Sequence, residues 1–286
     1  MSDGMTPRHG EDGSRSLVES GGRLPSSGAE SKSASRPVGT QILKVRKVCK
    51  RYGGVNALTD VAVDLYAGEV VALVGDNGAG KSTFAKIISG IEYADSGEIE
   101  FEGKRVHLNS PQAAASVGIQ TVYQDLALCD TLDTVQNLFL GKEIRRPWYQ
   151  GFRLARAEME TTTQRVLANL GAKIPNLSTP VGALSGGQRQ AAAICRAILT
   201  DPRLVILDEP TAALGVAQRS EVLALIRRLR NQGVAVLVIS HDLFEIEEAA
   251  DRVVVFRLGR VVAEMKRGEF TQQELVRAIM GGQAEV

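Results

Sequence analysis

The stretch Gly75-Asp76-Asn77-Gly78-Ala79-Gly80-Lys81-Ser82-Thr83 decides how the rest of the chain is read. It fits G-x-x-x-x-G-K-[ST], the pattern of a phosphate-binding loop. Residues 70–74 lead into it as an apolar run too short and too β-branched for a helix, so they predict a buried parallel strand. Beyond Lys81 the spacing turns helical, with Phe84, Ile87 and Ile88 on one face. The glycines therefore lie between a strand and a helix, the context this motif needs. Glycine lets backbone N–H groups close around phosphate oxygens with no Cβ in the way. The helix N-terminus adds the positive end of its dipole at the same point. In that setting Lys81 is expected to reach the β- and γ-phosphates of a nucleotide, and Ser82 to offer a hydroxyl to Mg²⁺.

Composition bounds the partners. At 286 residues the chain makes one large or two small domains and can bury a real core. A formal net charge of +1 gives no reason to expect nucleic acid as a partner. No apolar run approaches the ~18 residues of a membrane span. The first residues carry no apolar signal region, which predicts a cytoplasmic protein. Cys49, Cys129 and Cys195 are far apart and form no C-x-x-C, so they read as reduced thiols; Cys195, among Ala191, Ala192, Ala193 and Ile194, reads as packing.

Taken in order, residues 1–39 are rich in Ser and Gly, with Pro7, Pro25 and Pro37, and predict a disordered tail that leaves His9 in solvent. The domain, 40–286, opens with alternating residues 42–48 as a half-buried strand, and residues 62–65 form a second. Residues 99–101 and 105–107 flank the turn Glu102-Gly103-Lys104, which puts His107 on a surface strand. These strands predict a small antiparallel sheet beside the nucleotide. Residues 119–123 are another strand, ending in Gln124-Asp125. Helical spacing over 132–140 and 157–170 predicts a helical subdomain at about 126–181. Between those helices, Arg145-Arg146-Pro147-Trp148-Tyr149 reads as an exposed connecting loop or as a contact with an anionic membrane surface.

Leu184-Ser185-Gly186-Gly187-Gln188-Arg189-Gln190 opens a helix running to about Leu199. Residues 204–207 form an apolar strand that ends in Asp208-Glu209-Pro210, and residues 235–239 form one that ends in Ser240-His241-Asp242. Between them Val222, Leu225, Ile226 and Leu229 make a helical apolar face. Alternating strands and helices predict an α/β fold, a parallel sheet covered on both faces, with ligands gathering at the carboxyl ends of its strands. Gly259 separates two short final strands, and Thr271 caps a last helix ending near Met280.

The phosphate loop, Gln124, residues 184–188, Asp208-Glu209 and His241 follow one another in that order. In this order and spacing, residues 41–282 resemble the ATP-binding subunits of ABC transporters, with Leu184-Ser185-Gly186-Gly187-Gln188 the sharpest marker. The resemblance implies a phosphate-loop NTPase core carrying a small antiparallel β-subdomain and an α-helical subdomain, with ATP and Mg²⁺ as ligands. It implies that Asp208 holds Mg²⁺ directly or through water, that Glu209 is the general base and that His241 is a switch on the γ-phosphate. Gln124 would sense the Mg²⁺–water shell and move with the transport subunit, and Tyr52 would stack on adenine. Two such domains would face head to tail. ATP on residues 75–83 of one would be closed over by Ser185, Gly186, Gly187 and Gln188 of the other.

One set of motifs implies pairing with a copy of the chain or with a related ATPase subunit. The resemblance adds integral membrane permease subunits, a solute-binding protein as an indirect partner, and a place on the inner face of the cell membrane. Gly215 departs from the family pattern, which mostly has Asp there, in a loop that passes signals between the two sites. The run Ala213-Leu214-Gly215-Val216-Ala217-Gln218 looks like the monosaccharide-importing branch, of the ribose, xylose and fructose type. Asp125-Leu126-Ala127-Leu128-Cys129-Asp130 and Asn137-Leu138-Phe139-Leu140-Gly141 look like it too. The alternatives are a non-transport ABC ATPase acting on DNA or ribosomes, and an importer ATPase for another small solute. The DNA type would need a long coiled coil between the motifs, and the ribosome type normally has two ATPase domains.

Overall fold

A computed structural model of the chain describes residues 37–146 and 153–281. The expected disorder of the tail, including His9, falls outside these residues except at 37–39. There a turn is tied down by the Gly39 N–H on the Ala67 carbonyl at 3.0 Å. Pro147, Trp148 and Tyr149 also lie outside the described residues.

Strands β1 (Gln41–Tyr52) and β2 (Val55–Tyr66) form an antiparallel hairpin and lead into β3 (Val70–Val74). Helix α1 (Lys81–Ile88) leaves the phosphate loop, and β4 (Ser96–Phe101) and β5 (Lys104–Arg105) complete a four-stranded sheet of order β2-β1-β4-β5. Next come α2 (Pro111–Val117), β6 (Ile119–Val122), α3 (Thr134–Phe139), α4 (Arg156–Leu170) and α5 (Gly186–Ile198). After these, β7 (Leu204–Asp208), α6 (Val216–Asn231), β8 (Ala235–Ile239) and α7 (Leu243–Ala249) alternate. The chain closes with β9 (Arg252–Arg257), β10 (Arg260–Lys266) and α8 (Gln272–Met280).

The second sheet has the order β10-β9-β3-β8-β7-β6. From β9 to β6 every pairing is parallel, and β10 adds an antiparallel edge. β3 and β8 are buried along their whole length, as apolar strands covered on both faces must be. Successive side chains point to opposite faces. Val71, Leu73, Ile206 and Leu237 join the core shared with β1, β2 and α1. Val205, Leu207, Val236 and Val238 join the core shared with α5 and α6. β10 alternates between exposed and half-buried residues, as an edge strand does.

Several expectations need correction. β1 and β2 are longer than residues 42–48 and 62–65. Irregular register between Val45 and Val48 and between Val48 and Lys50 absorbs the breaks in alternation, with Lys47 left-handed at φ 50. His107 is not on a strand, because β5 stops at Arg105. The helix expected over 132–140 starts at Thr134, because Asp133 and Gln136 form a capping box. Two short helices were not foreseen. α2 is capped by Ser110, with Pro111 in its first turn, and α7 is capped by Asp242. Among the described residues no helix is long and apolar enough to cross a membrane.

Candidate active site

The phosphate loop is wedged between the two sheets. Gly75 sits at φ 144, and a Cβ there would run into the Phe256 carbonyl of β9. Gly80, at φ 108, would put a Cβ 2.8 Å from the Ala57 carbonyl oxygen and from the Leu58 side chain of β2. These contacts press the loop close and leave Asp76, Asn77 and Gly78 exposed, with Ala79 buried beneath them. The Lys81 ammonium turns back into the loop and donates to the carbonyls of Gly75 at 2.6 Å and Asp76 at 3.0 Å. Burial lowers its pKa, while the charges of Glu209, Asp76 and Asp208 act in the other direction. Ser82 is exposed at the start of α1 and Thr83 half-buried.

Strand register carries the other groups to the same edge. Leu73 of β3 pairs with Ile239 of β8, Ile239 with Asp208 of β7, and Leu207 with Val122 of β6. All four strands are parallel, so their carboxyl ends are level. The phosphate loop, His241, Asp208-Glu209 and Gln124 therefore follow one another along a single edge. Asp208 is half-buried; burial and the neighbouring Glu209 push its pKa up, against Lys86 and Lys81. Glu209 takes a left-handed backbone at φ 49, and its N–H donates to the Ile239 carbonyl at 2.9 Å. Its Oε1 lies 2.8 Å from Nδ1 of His241. That contact raises the pKa of His241, whose side chain is 76% exposed against 19% for Glu209.

Gln124 is exposed in the turn after β6. Just beyond it Leu126 and Ala127 are both left-handed, at φ 58 and 45. The Arg196 guanidinium of α5 holds their carbonyls at 2.7 and 2.6 Å. Sequence reading missed Arg196, which shares its helix face with Arg189 seven residues earlier and carries no signal of the carbonyls it holds. It also missed Glu245, four residues after His241, which lies buried beneath the site.

Ser185 is the N-cap of α5. Its Oγ accepts from Gln188 N–H at 3.3 Å, and the Gln188 side chain accepts from Ser185 N–H at 3.0 Å. Ser185 and Gly186 are exposed. A Cβ on Gly186 or Gly187 would meet Leu214 and Gln218, not residues 75–83. These four residues thus stand beside the loop of Gly215, apart from the edge that gathers the others. Tyr52 ends β1 with 43% of its surface exposed. Its ring lies 5.4 Å from the Lys50 ammonium, and its hydroxyl is turned toward Glu92 and Thr83.

Among the described residues no three His, Cys, Asp or Glu side chains cluster as a metal cage. One half-buried carboxylate with its pKa pushed up and one exposed serine hydroxyl suit Mg²⁺, a hard cation that takes most of its oxygens from phosphate and water.

A glycine-rich loop before a helix, with two acids and a histidine on the adjoining strand ends of a parallel sheet, defines a phosphate-loop nucleoside triphosphatase. Residues 58–212 match the model of the ABC transporter family, and the chain belongs to that family. It is 46% identical over 248 residues to the fructose import ATP-binding protein FrcA of Rhizobium meliloti, covering 85% of this chain and 95% of that protein. It is 42% identical to the xylose/arabinose import ATP-binding protein XylG of Sulfolobus acidocaldarius, covering 82% and 92%. Among solved structures it resembles the dimeric post-hydrolysis state of an ATP-binding cassette bound to ADP and Pi. That match has a TM-score of 0.66 at 26% identity and covers 80% of this chain and 100% of that one.

Proposed function

We propose that this chain is the ATP-hydrolysing subunit of an ABC importer for a monosaccharide. The Glu209–His241 contact of 2.8 Å, on the strand edge that also carries the phosphate loop, is the observation that supports hydrolysis most directly. The names of the relatives, with the sugar-branch stretches around Asp125, Asn137 and Gly215, support the sugar.

ATP is the substrate. The N–H groups of residues 75–83 and the start of α1 cradle its phosphates, with Lys81 turning from the loop carbonyls onto the β- and γ-oxygens. Tyr52 offers its exposed ring to the base. Glu209 holds the attacking water as general base, and His241 steadies that carboxylate and reaches the γ-phosphate. Mg²⁺, held by Ser82 and Asp208 with Gln124 at its water shell, would neutralise charge on the phosphate oxygens. Ser185, Gly186, Gly187 and Gln188 act in a second copy or a related subunit and close over the nucleotide of the first. Residues 126–181, with Gln124 at their edge, grip an integral membrane permease on the cytoplasmic face, which a solute-binding protein serves from the other side.

Glu209→Gln tests the site. Hydrolysis is expected to fall by at least about a hundredfold while ATP affinity holds within about threefold. Turnover within a few-fold of the parent would remove Glu209 from this role. Co-purification with a permease, followed by ATP-dependent uptake of a monosaccharide into vesicles, tests the transport reading. Uptake of another solute class in its place would overturn the sugar.

A further inference from the structure

Glu245 is buried to 1% exposure in the first turn of α7. Its Oε2 accepts two hydrogen bonds, from Ser240 Oγ at 2.6 Å and from Thr211 Oγ1 at 2.8 Å. Its Oε1 is buried with no hydrogen-bond partner. Burying a carboxyl on such terms is costly, and an apolar side chain of similar size would pack there more cheaply. The arrangement therefore calls for a reason other than stability.

The two hydroxyls supply one. Thr211 follows Glu209 with only Pro210 between, and Ser240 immediately precedes His241. Both are buried, Thr211 to 3% and Ser240 to 0% exposure. The sheet fixes the two loops only as far as the Asp208–Ile239 pairing and the Glu209 N–H on the Ile239 carbonyl. Past that point the ladder ends. A single carboxylate oxygen then fastens them again, close to the Glu209–His241 contact on each side. Ser240 Oγ also accepts the Asp242 N–H at 3.1 Å, which carries the fastening into the cap of α7. Glu209 needs such support, because its left-handed backbone is a conformation that persists only where the surroundings hold it.

We infer that Glu245 is a positioning residue for hydrolysis: it fixes the separation of Glu209 and His241 by tying Thr211 and Ser240 to one oxygen. The inference rests on the reading of Glu209 as the base. A misplacement on the order of 1 Å at a reacting group costs about a hundredfold in rate, so a few tenths of an ångström lost between these loops lowers turnover without loosening the nucleotide.

The test uses the full chain with Mg-ATP. Glu245→Met keeps the volume and removes the acceptor, and it is expected to lower kcat by about tenfold with KM for ATP within about threefold. Glu245→Gln keeps an oxygen for the two hydroxyls and is expected to recover kcat to within about threefold of the parent. The His241 ring resonances, assigned by their loss in His241→Ala, are expected to shift in Glu245→Met and to stay near the parent's in Glu245→Gln. If Glu245→Met does not fold, Thr211→Val and Ser240→Ala each remove one donor and are expected to show the same split between kcat and KM. Parental kcat in folded Glu245→Met would overturn the inference. So would unmoved His241 resonances, or a fall in kcat that only follows a fall in melting temperature. If Glu209→Gln keeps its turnover, the base reading fails by itself, and the His241 resonances still decide whether Glu245 sets the contact.

Discussion

Glu209 and His241 show how two residues share one proton economy. The imidazole Nδ1 faces a carboxylate 2.8 Å away, and that hydrogen bond, with the charge behind it, raises the folded pKa of His241. The sign follows directly. Below the ordinary histidine value of about 6.5 the ring is charged whether folded or not, and the pair is fully formed. As pH rises through the raised folded pKa the proton leaves, and the contribution of the pair is lost. His241 is therefore expected to titrate above about 6.5 in a proton NMR series, and to return toward that value in Glu209→Gln. An unchanged midpoint in Glu209→Gln would mean that the two side chains do not pair in solution. The alanine-rich face of α5 behaves in the opposite way. Burial pushes the Cys195 thiol up to about 12, so it stays protonated as an inert part of the packing.

At the scale of elements, the segment before α3 depends on one buried amide. Asn137 is fully buried; its Oδ1 accepts from Cys129 N–H at 2.8 Å. Its Nδ2 donates to the carbonyls of Cys129, Leu132 and Asp133, each at 3.0 Å. Asn137→Ala strands the Cys129 N–H, while the three carbonyls keep the backbone N–H groups of Leu132, Val181 and Asn137, and is expected to cost roughly 2 kcal/mol in a urea melt. A loss below about 1 kcal/mol would mean that water takes over the amide's partners. Such elements also explain what could be read in advance. β3, β7 and β8 were legible because strands buried on both faces are plain apolar runs, and α8 because Thr271 and Glu274 cap it by the usual pattern. The loop residues could be named because glycines at 75 and 80 leave a fixed spacing. α2 and α7 were missed because neither shows an apolar face: α2 buries only Ala114, and α7 buries the charged Glu245 beside Ile246 and Ala249. The roles of Arg196 and Glu245 could not be read, because what matters is contact with carbonyls or hydroxyls distant in the chain.

For the whole molecule, Ser185 and the phosphate loop stand on different elements, so one chain is expected to hold half of each closed site. Light scattering of Glu209→Gln with saturating Mg-ATP is expected to show dimers, and the parent without nucleotide mainly monomers. Ser185→Arg is expected to keep ATP bound while abolishing hydrolysis and that dimer. Dimers that persist in Ser185→Arg would refute the head-to-tail arrangement. The turn between β9 and β10 bears on a practical matter. Leu258 is 80% exposed there, which makes the hairpin look like a harmless place for a tag or a new chain terminus. Its next residue says otherwise. Gly259 donates its N–H to the Ala79 carbonyl at 2.9 Å and accepts the Thr59 N–H at 2.8 Å, so this outer hairpin buckles the nucleotide cradle to the neighbouring sheet. An epitope inserted after Leu258 is expected to leave far-UV dichroism intact yet weaken ATP in calorimetry, whereas one placed after Gly268 leaves binding untouched. Library designs that choose insertion points by surface exposure alone would score the first site as permissive and lose the enzyme there.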